Sequence, residues 1–116
     1  MQSPFINNNI SELLGYLEYI KADYHKWQGY SADISDVVRD NMFDQFCEGL
    51  SYKVGKKYCK VMTRGSVHSF IVLEDGPKFK AGDILKAASW AAPATNFARA
   101  NLLGDYSNAV RWTGAQ

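Results

Sequence analysis

At about residue 50 two properties of the chain change together. The apolar period drops from near 3.6 residues to 2, and the charge reverses. Residues 1–50 carry three Lys and Arg against eight Asp and Glu, a net of −5. Residues 51–116 carry ten against four, a net of +6, so the whole-chain charge of +1 conceals the division. Such asymmetry points to a polyanionic partner for the basic half, or to attraction between the halves within or between subunits. With 116 residues, 47% of them hydrophobic and 22% charged, the chain reads as one folded domain. Residues 1–50 form its acidic helical part and residues 51–116 its basic, strand-rich part.

Residues 1–8 are polar and Asn-rich and are expected to fray. Asn9 followed by Glu12 has the form of a capping box. From there Ile10, Leu13, Leu14, Leu17, Ile20, Tyr24 and Trp27 recur at three- and four-residue steps, the stripe of a helix ending near Trp27. A second helix starts between Ser31 and Ser35, where Asp33 or Ser35 can cap it. Ile34, Val37, Val38, Met42, Phe46 and Leu50 form its stripe, and Gly49 suits its C-terminal end.

Lys57 to Arg64 alternates in the manner of a strand, and Arg64-Gly65 is a short turn. Ser66 to Glu74 is a longer strand whose end is apolar on both faces. Asp75-Gly76-Pro77 is a turn signal, and Ile84 to Trp90 reads as a third strand. Phe97 to Leu103 combines alanines that favour helix with an alternation that favours strand, and strand is the reading adopted. Ala109 to Thr113 is a fifth. The fold class that follows is mainly β with N-terminal helices: a small, strongly bent five-stranded antiparallel barrel preceded by one or two α-helices.

The chemistry-bearing residues are few. Cys47 and Cys59 lack CxxC spacing and read as reduced thiols of a cytoplasmic protein. His25 and His68 have no ligand-spaced neighbours, so no metal is expected, and His68 reads as a surface or subunit-interface side chain. No catalytic triad, phosphate-cradling glycine loop, secretory signal or membrane-spanning run is present, and neither cofactor, membrane nor small-molecule substrate is indicated. What remains is basic and aromatic. Lys53, Lys56, Lys57, Lys60 and Arg64 interleave with Tyr52 and Tyr58; Lys78, Lys80, Lys86, Arg99 and Arg111 follow. Lysine and arginine release counterions on meeting phosphates, and aromatic faces stack unpaired bases. Trp90 and Trp112 taken singly read as core or subunit contacts.

Gly65 to Val72, Phe79 to Ala88, Asn96 to Asn101 and Arg111 to Ala115 resemble an uncharacterised family of marine cyanophage and ocean-metagenome proteins. The resemblance implies an Sm-like fold, an N-terminal helix followed by a bent five-stranded barrel. It implies homo-oligomeric rings joined through the fourth and fifth strands, and binding of single-stranded RNA or DNA without covalent chemistry. The second Sm motif centres on an Arg-Gly-Asx turn that grips a base. Arg99 and Asn101 are in register with it, and Ala100 stands where glycine is usual. The first motif's base-contacting Asp and Asn have no counterpart in Ser66 to Glu74. Arg99 and Asn101 are thus the candidate nucleic-acid contacts, with Lys60 and His68 beside them. A structural assembly protein of phage origin is the alternative expectation.

Overall fold

The computed structural model describes residues 3–29 and 35–116. The expected Asp33 cap and Ile34 lie outside them. Instead of fraying, the residues from Ser3 form a short helix α1, Pro4–Asn8, with Ile6 buried. Ser3 at the N-cap accepts from the Ile6 N–H at 3.4 Å, and proline occupies the first turn, where a missing N–H costs nothing. Asn9 does not form the expected capping box: its Nδ2 donates backwards to the Phe5 carbonyl at 2.9 Å, closing α1. Helix α2 then runs Ile10–Gln28 and α3 Asp36–Gly49, the latter capped by Ser35.

The face that α2 buries is Leu13, Tyr16, Leu17, Ile20, Tyr24 and Gln28. Ile10, Leu14 and Trp27, expected in the same stripe, are exposed. In α3 only Phe46 is fully buried, and Val37 stays 71% exposed.

The strands follow as β1 Ser51–Val54, β2 Tyr58–Thr63, β3 Ser66–Val72, β4 Asp83–Lys86 and β5 Ala100–Asn101, in that spatial order and all antiparallel. The count of five matches expectation, but the membership differs. β1 carries no alternation because Ser51, Tyr52 and Lys53 are all exposed at the sheet edge. The last expected strand lies outside the sheet, as a hairpin of β6 Val110–Arg111 and β7 Gly114–Ala115. The third ends at Lys86, because Ala88 and Ser89 both donate to the Ala92 carbonyl and turn the chain back. Among the described residues the sheet does not close into a barrel; β1 and β5 are its two edges.

The apolar end of β3 is explained by cover on both sides. Cys59, Val61, Ile71 and Ile84 face the helices and make the main core with Leu13, Tyr16 and Ile20. Phe70, Val72 and Leu85 face the other way, under Tyr58, Phe79, Ala87 and Ala98. Gly114 has φ +143, and a Cβ there would lie 3.1 Å from the His68 carbonyl, so this glycine lets β7 press on β3.

Candidate nucleic-acid interface

The β1–β2 hairpin gathers four lysines in eight residues. Antiparallel register sets Lys53 directly opposite Lys60. Like charges in that position repel, and a sheet tolerates them where water or a bound anion screens them. Gly55 donates to the Tyr58 carbonyl at 2.9 Å, which places Lys56 and Lys57 at the hairpin tip. Lys53, Lys56, Lys57 and Lys60, with Tyr58 and Phe70, line a cleft of about 250 Å³. Its far rim is the loop 87–93 that turns back after β4. Trp90 sits on that loop, 57% exposed, with the Lys60 ammonium 4.6 Å from its ring centre. Trp90 is therefore neither core nor buried; its ring is held by a cation–π contact and stays accessible to solvent.

Among the described residues, none of the ten Lys and Arg in 51–116 pairs with a carboxylate; the two salt bridges, Lys21–Glu18 and Arg39–Asp36, lie in the helices. Three of the four carboxylates of the basic half are spent on turns, and the fourth, Glu74, is exposed. Asp75 accepts from the Ala81 N–H, Asp83 from the Lys80 N–H, and Asp105 from the Ser107 N–H and hydroxyl.

Of the four candidate contacts, Lys60 lies in the cleft. Arg99 packs its guanidinium 3.7 Å from the centre of the exposed Phe97 ring, a second cation–π pair, while its Nε is buried without a hydrogen-bond partner among the described residues. Asn101 is committed to the fold. Its Nδ2 donates to Asp83 Oδ1 at 3.0 Å and to the Ala81 carbonyl at 3.3 Å, and its Oδ1 accepts from the Leu103 N–H. The structure thus leaves little of the Asn101 amide for a base.

The expectation of a surface His68 is corrected: it is 3% exposed. Its Nε2 faces the Arg111 carbonyl at 2.7 Å, and a carbonyl only accepts, so Nε2 carries the proton. In the neutral ring Nδ1 must then accept, at 2.9 Å, from Ser69 Oγ. Ser69 Oγ in turn accepts from the Tyr16 hydroxyl at 2.8 Å. Burial, more than any partner, pushes the His68 pKa below and the Tyr16 pKa above their ordinary values. This relay joins α2, β3 and β6, and it is sealed from solvent.

Cys47 and Cys59 are free thiols, and burial pushes Cys59 up to about 12. Among the described residues no cluster of three His, Cys, Asp or Glu is placed to hold a metal, and no helix is long and apolar enough to cross a membrane.

Fold and surface together define an α+β protein: a helical layer under an antiparallel sheet that carries an unneutralised, lysine-lined aromatic cleft. Residues 5–115 match a family described as "Family of unknown function (DUF7717)", and the chain belongs to that family. No curated protein and no solved structure matches it.

Proposed function

We propose that this chain is a non-enzymatic protein that binds single-stranded RNA or DNA through the lysine cleft, as a homo-oligomer with an Sm-like barrel arrangement. The observation that carries the reading is the Lys53–Lys60 pair, directly opposed and without a carboxylate partner among the described residues, beside the exposed Trp90. Phosphates screen the opposed ammonium groups, and the free side of the indole offers a stacking platform for an unpaired base. Phe97 with Arg99 supplies a second platform of the same kind. Duplex bases are stacked already and gain nothing from these rings, so single strands are favoured.

The ring assembly draws its support from two features. The sheet is open at β1 and β5, where neighbouring subunits would add strands. The bulge between Val61 and Met62 adds the local twist that bent barrels need. The exposed Val37, Val38 and Leu103 favour a second reading, an assembly protein without nucleic-acid affinity.

Fluorescence anisotropy with a short labelled single strand, alongside light scattering, separates the two. The proposal expects binding by an oligomer, lost in the Lys53→Glu/Lys60→Glu variant. Oligomers that ignore the strand at tens of micromolar protein in low salt favour the assembly reading and refute the first.

A further inference from the structure

A second concavity lies between α2 and the β6–β7 hairpin, and it shares no residue with the lysine cleft. Its volume is about 710 Å³, within the range of small-ligand sites. We infer that this groove binds a small planar aromatic anion of the nucleoside monophosphate class.

Three features carry the assignment. The first is a rigid aromatic wall. Trp112 is held edge-on by Tyr24 at 5.0 Å and Phe46 at 5.9 Å, and its backbone N–H donates to Asp23 Oδ2 at 2.8 Å. Against it stands Trp27, 4.9 Å away, inclined at 47° and 44% exposed. An exposed indole braced by a fixed one is a preorganised surface for a planar ring.

The second is unpaired positive charge at the mouth. The Lys26 ammonium forms no hydrogen bond or ion pair among the described residues. The Arg111 guanidinium is oriented by the carbonyls of Ser107 and Val110 and meets no carboxylate among the described residues. Both line the groove, where Asp23 is the single acidic residue among the described lining, so the described lining is net positive. Arginine held by carbonyls keeps donors free for a phosphate oxygen.

The third is a vacant acceptor. Asp23 uses Oδ2 for the Trp112 N–H, while Oδ1 has no donor among the described residues. A carboxylate oxygen beside an aromatic wall suits a sugar hydroxyl or an exocyclic amine, and it disfavours a bare anion. Ring, anion and donor together describe a nucleotide better than a simple phosphate or an uncharged aromatic.

Trp90→Phe protein, whose only tryptophans are Trp27 and Trp112, is titrated with adenosine monophosphate, adenosine and inorganic phosphate, with selective tryptophan excitation. The inference expects saturable quenching by the monophosphate with a Kd below about 1 mM, and at least tenfold weaker binding of the other two. Lys26→Glu, where the native ammonium has no hydrogen bond or ion pair among the described residues, should weaken the monophosphate at least fivefold and leave single-strand affinity unchanged. That last readout separates this site from the cleft, because either can fail alone. The inference is overturned by absence of saturable monophosphate binding, by an unchanged Kd in Lys26→Glu, by phosphate binding equally well, or by displacement of the nucleotide by one equivalent of a short strand.

Discussion

Replacing Ser69 by alanine removes one oxygen and strands two buried groups. Ser69 is completely buried, as is Tyr16, and its hydroxyl both accepts from Tyr16 and donates to His68 Nδ1. In Ser69→Ala the Tyr16 O–H has no acceptor and His68 Nδ1 has no donor. Each orphaned buried group costs about 1–3 kcal/mol, so the variant should lose roughly 2–6 kcal/mol. For a chain of this size that lowers Tm by roughly 8–24 °C. Urea unfolding followed by circular dichroism gives the free energy directly. Tyr16→Phe removes the first of the two stranded groups by itself. The double variant should therefore be milder than the sum of the singles, by about 0.5–3 kcal/mol. A Ser69→Ala loss under about 0.5 kcal/mol, or strict additivity, would refute the relay.

The same relay fixes a pH dependence. His68 is depressed below its ordinary value of 6.5 by burial, with the Arg111 carbonyl opposing. The unfolded chain thus binds a proton more readily than the folded one, and stability rises with pH. The contribution is whole above about pH 6.5 and drains away as pH falls from there through the lowered folded value. His68→Gln should flatten that slope, and an unchanged acid limb would contradict it. Trp90→Ala should weaken single-strand binding by about 1–3 kcal/mol while the fold persists, seen as loss of affinity with an unaltered spectrum. Arg99→Ala should weaken binding too, through the Phe97 platform. Asn101→Ala should instead destabilise the protein by roughly 1–3 kcal/mol, since it frees Asp83 and the Leu103 N–H, and should spare the affinity of what remains folded.

The two-part plan was legible because it depends on period and charge. Leu13, Leu17, Ile20 and Tyr24 lie on the buried face that their spacing sets, and helices give way to strands at the residue where the period changes. β1 was not legible. An edge strand that buries no side chain fully has no alternation to read, and without β1 the Lys53–Lys60 opposition cannot be inferred. Trp90 escaped for a related reason. The turn made by Ala88, Ser89 and Ala92 rests on two backbone bonds and one to the Ser89 hydroxyl, and a lone serine among alanines gives little sign of it. His68 was misplaced because alternation says which residues share a face, but not that a distant hairpin covers it. The motif at Arg99 and Asn101 was visible as letters. Only the contacts show one residue stacked on a ring and the other tied into a turn.

The central claim is that phosphates meet the unneutralised lysines of the β1–β2 hairpin. Its most direct test is the salt dependence of single-strand affinity. If Lys53, Lys56, Lys57 and Lys60 each displace a counterion, log K against log salt should fall with a slope of about −3 per site. In Lys53→Ala/Lys60→Ala the slope should shrink by about half. A slope near zero, or one that both lysines can leave unchanged, would contradict the account.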